Sequence, residues 1–196
     1  MEVSYSKGGD RIPRPVLYFF VKAFVLFVVW KAFYIFFLLP AGILDRPLTR
    51  FVGGSTSVML NAITGNSPYA AVEAVDTIAD GERLSYAVAM DIRRDGQQTL
   101  RIADACNGLE LMVLYIGFII CFPAPARRKL VFILSGCVLI TILNILRCAA
   151  LVIVFVRYKK YLDFSHHFAF TFLIYAFIFI LWYFFTKKPA PDGRTA

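Results

Sequence analysis

One of the four cysteines in this chain stands in polar surroundings, at the edge of an apolar run. Cys106 lies in the stretch DACNGLELMVLYIGF (104–118), with Asn107 directly after it. Cys121 and Cys137 have only apolar neighbours, which is typical of cysteines that pack as small hydrophobic side chains. We expect Cys106 instead to contact water, where a thiol beside a base ionises to the reactive thiolate.

An arginine and an asparagine interrupt the apolar run 130–156. Placing an arginine inside a membrane span costs roughly 3 kcal/mol, so Arg147 marks a functional site unless its side chain snorkels to the interface. Asn144 lies three residues earlier on the same helix face, where we expect its amide to orient the guanidinium. Cys148 follows Arg147, but adjacent helix positions do not face each other, so its role stays open.

His166 and His167 are the only histidines of the chain, and they precede the last apolar run. Two interpretations stay open: an interfacial pair near an exposed Asp163, or a catalytic base. A thiol, an imidazole and a guanidinium together suit acyl transfer. The imidazole takes the thiol proton and later returns it to a leaving amine, while the guanidinium donates hydrogen bonds to the oxyanion. The predicted reaction forms a thioester on Cys106, which water or an amine then attacks.

The composition of the chain indicates that a membrane surrounds these residues. Of 196 residues, 59% are hydrophobic and 16% aromatic, against about 45–50% apolar residues in soluble domains. We therefore predict an all-α integral membrane protein with one domain. The net charge of +8 comes from Lys and Arg at the ends of apolar runs, which is typical of membrane topology rather than nucleic-acid binding. The sequence has no C-x-x-C motif, and its first apolar run is too long for a secretory signal peptide.

We predict about four transmembrane helices, because a span needs about 20 apolar residues. The predicted segments are a tail at 1–15, spans at 16–39, 107–122, 130–156 and 168–185, and a tail at 186–196. Residues 41–64 are mixed in polarity and predict an amphipathic helix at the interface, with a further span over 48–64 as the alternative. Residues 65–105 predict a small external β-hairpin, whose turn is Asp95-Gly96 and whose return strand leads directly to Cys106.

Positive charges near the span ends predict the orientation of the helices. With four spans, the N-terminal tail and the basic groups at 127–129 and 187–188 lie on one side, which should be cytoplasmic. The basic group at 157–160 falls on the other side and opposes this assignment. Both termini are therefore expected in the cytoplasm.

This topology brings the candidate residues to one depth. Arg147 lies about 25 Å along its helix from Leu130, near the outer side of a hydrocarbon core about 30 Å thick. Cys106 and His166 each precede a span that begins on the outer side. We therefore expect the three side chains to meet at the external face of the membrane.

Three short motifs resemble the exosortase/archaeosortase family of membrane cysteine transpeptidases. They are ACNG (105–108), NILR (144–147) and DFSHHFAF (163–170). The resemblance implies that Cys106 is the nucleophile, that Arg147 stabilises the transition state and that a histidine is the base. The family pattern His-x-x-x-Gly/Phe favours His166, which is followed by Phe170, over His167 as the runner-up.

The resemblance also implies the substrates and the location. The substrates are exported, membrane-anchored proteins with a C-terminal sorting signal, which consists of a short motif, a membrane helix and a basic end. The enzyme cleaves near the motif and passes the protein to a surface acceptor, with no cofactor, metal or nucleic acid. Gly108 and Asn144, within the first two motifs, take supporting roles. The chain resembles a compact bacterial branch with four spans rather than about eight, in the inner membrane of a prokaryote with its active site facing outside.

Three alternatives compete with this function. The side chains available to a zinc site are Cys106, Cys148, His166 and His167, but their spacing resembles no zinc finger and Arg147 would repel the ion. A non-catalytic assembly or scaffold subunit that docks through the hairpin leaves Arg147 unexplained. A transporter with Lys31 and Arg147 along an anion path lacks repeats and broken helices. Glu110 stays unassigned.

Overall fold

The computed structural model describes residues 14–65, 68–80, 83–158 and 170–187. Helices flank a small sheet along this chain. The elements are α1 (Arg14–Phe33), a π-helical segment (Tyr34–Leu38), α2 (Leu39–Ala41), α3 (Asp45–Thr64), β1 (Tyr69–Asp80), β2 (Arg83–Arg94), β3 (Gln97–Ile102), a 3-10 turn (Asp104–Cys106), α4 (Leu109–Cys121), α5 (Ala126–Arg157) and α6 (Phe170–Thr186).

Two helices among the described residues are long and apolar enough to cross a membrane. They are Leu17–Ala41, with 25 residues, and Ala126–Arg157, with 32. The other two apolar helices are shorter: α4 has 13 residues and α6 has 17. At 1.5 Å per residue α4 is about 20 Å long, less than a hydrocarbon core of about 30 Å. The structure therefore supports two spans by length, and the count of four stays a prediction.

The first span contains a π-helical segment just before its proline. Pro40 has no N–H, and its ring crowds the carbonyl of the residue four positions earlier. The π-helical segment Tyr34–Leu38 contains that residue, and its wider turn accommodates the proline ring. The chain therefore stays helical to Ala41. It then ends at Gly42, whose φ of 60° is a left-handed conformation that favours glycine.

The segment predicted to be an amphipathic helix forms α3. One face of α3 is buried, including Val52, Thr56 and Leu60, and it packs against the sheet and α5. Gly53 lies where β2 crosses the helix, since a Cβ there would stand 2.6 Å from the Cβ of Met90. The position of α3 at a membrane interface stays a prediction.

The sheet has three antiparallel strands in the order β1-β2-β3, one more than the predicted hairpin. The turn between β2 and β3 is at Asp95-Gly96 as predicted, with positive φ values of 51° and 80°. The prediction missed β1, in which alanines and acidic residues blur the apolar alternation. Two hydrogen bonds between the Asn61 side chain and the backbone of Tyr69, of 2.9 and 2.7 Å, attach β1 to the end of α3.

The basic groups at 127–129 and 187 lie at one end of the helices. Arg128 Nη2 donates to the carbonyl oxygen of Lys187 at 2.6 Å, and Lys129 Nζ donates to that of Ile120 at 2.9 Å. The start of α5 therefore meets the ends of α4 and α6. The sheet lies toward the other end of α5, against a cluster that includes Cys148 and Val152. We call these the basic end and the sheet end.

Candidate active site

Cys106 lies in a tight turn between the sheet and α4. β3 ends at Ile102, and the backbone N–H of Cys106 donates to the carbonyl oxygen of Ala103 at 2.8 Å. Gly108 then begins α4 with a φ of 89°, which an L side chain rarely adopts. The cysteine is therefore held in a short 3-10 turn before the helix, and the sheet leads the chain directly to it.

Asn144 holds this turn from α5. Its Nδ2 donates to the carbonyl oxygen of Cys106 at 2.9 Å, and the residue is fully buried. A Cβ at Gly108 would stand 3.2 Å from the same nitrogen, so the glycine also leaves room for the amide. The sequence assigned Asn144 to orient Arg147, whereas the structure gives its amide to the cysteine turn. Asn144 Oδ1 has no hydrogen-bond partner among the residues that the structure describes.

Arg147 and the cysteine turn line one cavity of about 150 Å³. The lining residues are Ala105, Gly108, Glu110, Leu111, Leu114, Arg147, Thr171, Ile174 and Tyr175. Arg147 Nε is buried and has no hydrogen-bond partner within the described parts of the chain. The Arg147 side chain therefore forms part of the cavity wall and carries a buried donor that is unsatisfied among the described residues.

Cys106 itself is not among the residues that line this cavity. Cys106 is half-buried and packs against the cluster that contains Cys148 and Ala149. Ala105, directly before Cys106, and Gly108, two residues after it, line the cavity. Cys148 is only 2% exposed, which fits a cysteine that packs as a small hydrophobic side chain.

The structure does not describe the histidine candidates. His166, His167 and Asp163 all lie in the segment 159–169, outside the described residues. The described chain resumes at Phe170, and Thr171 lines the cavity. The histidine assignment therefore stays a prediction. Among the described residues, no three His, Cys, Asp or Glu side chains are grouped to hold a metal ion.

An ion pair accounts for two charged residues that the sequence left unassigned. Lys31 Nζ lies 2.6 Å from Glu110 Oε1, joining the sheet end of α1 to the first turn of α4. The carboxylate therefore compensates the lysine inside the first predicted span. Glu110 lies in the first turn of α4, after the cysteine turn has ended, so it does not share a helix face with Cys106.

A buried polar network on α3 was missed by the sequence analysis. Asn107 Nδ2 donates to Asp45 Oδ1 at 3.0 Å and to Thr49 Oγ1 at 3.3 Å. Thr49 Oγ1 donates to Asp104 Oδ1 at 2.8 Å, and Tyr34 OH donates to Asp45 Oδ2 at 3.1 Å. The one available signal was the spacing of Asp45 and Thr49, four residues apart on one face of an amphipathic helix.

A large apolar groove lies beside the Arg147 cavity, and Leu114 lines both. The groove has a volume of about 910 Å³ and lies between α1, α4 and α6. A smaller cavity of about 290 Å³ shares Leu109 and Val113 with the groove, and Glu110 and Tyr175 with the Arg147 cavity. The three cavities are therefore neighbours along α4.

Comparison with known proteins identifies the family of this chain. A family profile described as "Transmembrane exosortase (Exosortase_EpsH)" matches residues 15–184, which confirms the resemblance. No curated protein and no solved structure matches the chain significantly. The matched range contains the three short motifs and both helices that are long enough to span a membrane. Exosortases are cysteine transpeptidases of the membrane, and the chain therefore belongs to the transmembrane exosortase family.

Proposed function

We propose that this protein cleaves C-terminal sorting signals of exported proteins through a thioester on Cys106 and transfers them to a surface acceptor. The observation that carries the proposal is the shared cavity, which Arg147 lines together with Ala105 and Gly108, before and after Cys106. A buried guanidinium N–H without a partner among the described residues is the donor that an oxyanion requires. Family membership supports the reaction class.

The proposed reaction has two acyl-transfer steps. His166 takes the thiol proton of Cys106, and the thiolate attacks the scissile carbonyl to give a tetrahedral intermediate whose oxyanion accepts hydrogen bonds from Arg147. The C–N bond then breaks, the imidazolium protonates the leaving amine, and the thioester remains. An acceptor amine or water attacks the thioester and gives its proton to the imidazole; the thiolate of Cys106 then leaves and is reprotonated by the imidazolium.

The substrates that we propose are membrane-anchored proteins whose sorting signal combines a short motif, a helix and a basic end. The apolar groove supports this choice, because Leu114 lines both the groove and the Arg147 cavity, and the groove reaches Thr186 near the basic end. A bound helix that follows the scissile bond would run parallel to α4 and α6. Gly117 lines the groove, and a small residue there lets another helix approach closely.

The proposed setting is the inner membrane of a prokaryote. Both termini lie in the cytoplasm, and the cysteine turn lies outside. The clustering of Arg128, Lys129 and Lys187 at one end of the helices supports this orientation, because cytoplasmic ends of spans are enriched in Lys and Arg.

A reporter assay in membranes tests the proposal. The reporter is an exported protein that ends in a short motif, an apolar helix and a basic cluster. We expect Cys106→Ala to abolish its cleavage, and Arg147→Ala to slow it by about 10²–10³-fold at an unchanged protein level. Hydroxylamine should release the reporter from a covalent thioester adduct with the wild-type enzyme. Cys137→Ala is the control and should cleave normally.

The same assay distinguishes between the two candidate histidines and tests the alternative of a scaffold subunit. His166→Ala should stop cleavage. If His167→Ala reduces cleavage more than His166→Ala does, His167 is the base. Wild-type cleavage by Cys106→Ala would overturn the proposal. If reporter cleavage in the variants falls only in proportion to the amount of inserted protein, a scaffold subunit is favoured instead.

A further inference from the structure

We propose that Asp45 is a positioning residue that holds the Cys106 turn in its reactive geometry from α3, acting through Asn107 and Thr49. This inference rests on the proposed role of Cys106 as the nucleophile. Asp45 belongs to none of the three motifs, and it lies 61 positions before the cysteine.

The carboxylate is buried and has two donors. Asp45 is 1% exposed, and its two oxygens accept from Asn107 Nδ2 and from Tyr34 OH at 3.0 and 3.1 Å. A buried carboxylate is costly unless it is hydrogen-bonded. Its place in the first turn of α3 adds to its stabilisation, since the N-terminal end of a helix favours negative charge.

The network forms hydrogen bonds to the turn at two points, one before Cys106 and one after it. Asn107 follows the cysteine and bonds to Asp45, while Asp104 lies two residues before it and accepts from Thr49. Thr49 also accepts from Asn107 Nδ2, which links the two points to each other. These bonds therefore hold the turn both before and after Cys106.

The opposite side of the turn is held by α5. Asn144 donates to the carbonyl oxygen of Cys106, and Arg147 lies one helical turn further along the same helix. The cysteine turn is thus held between α3 and α5, and this arrangement is called the clamp below. Arg147, the proposed oxyanion donor, lies on α5. Loss of the α3 contacts should let the thiol move relative to Arg147, and misplacement of about 1 Å costs a reaction about 100-fold.

Tyr34 extends this clamp to the first span. Its hydroxyl reaches Asp45 from the beginning of the π-helical segment, a distortion that often marks functional positions. The buried carboxylate of Asp45 therefore links the first span to Asn107, directly after the cysteine.

The test measures thiol reactivity and reporter cleavage in the full-length protein. The variants Asp45→Asn, Thr49→Val and Tyr34→Phe each remove a charge or one hydroxyl with little change in shape. We expect each to slow reporter cleavage, by about 100-fold for Asp45→Asn, with little change in KM. Alkylation of Cys106 by iodoacetamide should become about tenfold faster, because a loosened turn exposes the half-buried thiol.

Internal controls distinguish a local effect from general loss of stability. The buried thiols of Cys121 and Cys148 should stay protected from iodoacetamide in the same samples. Thr49→Ser, which keeps the hydroxyl, should restore cleavage to within about threefold of the wild type. Thr56→Val is the matched control, since Thr56 is equally buried in α3 but bonds to the carbonyl oxygen of Val52 in its own helix.

Each outcome is decisive for Asp45. Faster alkylation of all the cysteines together, or cleavage and alkylation at wild-type rates in all three variants, would overturn the positioning role. If Asp45→Asn fails to fold, the two hydroxyl deletions decide. If the wild-type protein cleaves no reporter, the alkylation pattern still tests the clamp, so failure of the proposed function is distinguishable from failure of this inference.

Discussion

The side-chain amide of Asn144 donates a hydrogen bond to the main-chain carbonyl oxygen of Cys106 at 2.9 Å, between residues 38 positions apart in sequence. This bond ties α5 to the cysteine turn. Because Arg147 lies one helical turn further along α5, the same bond sets the distance between the thiol residue and the guanidinium.

Replacing Asn144 with Ala should reduce reporter cleavage at least tenfold and lower the free energy of unfolding by about 1–3 kcal/mol. The carbonyl oxygen of Cys106 loses its buried donor, and α5 is no longer fixed to the turn. The matched control is Asn61→Ala, which removes the bonds that attach β1 to α3. It should lower stability by a similar amount and leave cleavage by the folded protein unchanged. Equal cleavage rates in the two variants would contradict the prediction.

Replacing Gly108 with Ala should destabilise the protein by about 1–3 kcal/mol and impair cleavage. The φ of 89° disfavours any side chain, and the new Cβ would press on Asn144 Nδ2 at 3.2 Å. Gly54→Ala is the control, since a new Cβ there would meet no described atom within 4 Å other than those of its chain neighbours and its own helix backbone. That substitution should stabilise the helix by up to about 1 kcal/mol. Thermal unfolding in detergent measures both effects.

The ion pair between Lys31 and Glu110 predicts coupled effects of substitution. Replacing Glu110 with Gln leaves the lysine of the first span uncompensated and should lower the thermal unfolding temperature. Lys31→Met in the same chain should recover most of the loss. The coupling should be at most about 1 kcal/mol, because both side chains are partly exposed, at 37% and 69%. Additive effects in the double-mutant cycle would show that the pair contributes nothing.

The contact between α3 and β1 predicts a weak dependence of stability on pH. The hydrogen bond from Arg50 holds the pKa of the Glu73 carboxyl below its usual value. A depressed folded-state pKa adds stability above the unfolded-state value of about 4.3, and this stability is lost as the pH falls through the lower folded-state value. The unfolding temperature of Glu73→Gln should therefore fall less than that of the wild type on acidification. The difference should shrink in 1 M salt, since both side chains are exposed.

Labelling of intact cells tests the orientation. In a chain whose only cysteine is Cys106, a membrane-impermeant maleimide should react from outside. In a chain whose only cysteine comes from Lys187→Cys, at the basic end, the maleimide should react only after the cells are permeabilised. Reversal of this pattern would contradict the assignment of the basic end to the cytoplasm.

Much of the secondary structure could be predicted from the sequence, because its signals act over a few residues. The apolar run that forms α5 and the Asp95-Gly96 turn are set by local hydropathy and by the positive φ that such a turn needs. β1 escaped prediction because its exposed face and its alanines weaken the alternation. Its place is determined by pairing with β2 and by Asn61.

The candidate site divides in the same way. The sequence by itself determined which residues are chemically unusual: Cys106 has polar neighbours at the edge of an apolar run, and Arg147 interrupts another, since both anomalies are local. Only the tertiary structure decided which side chains meet them. The bond from Asn107 to Asp45 joins residues 62 positions apart, and that from Lys31 to Glu110 joins residues 79 apart. A buried polar group takes whichever partner the packing of distant helices brings within 3 Å, and one sequence carries no local signal of that choice.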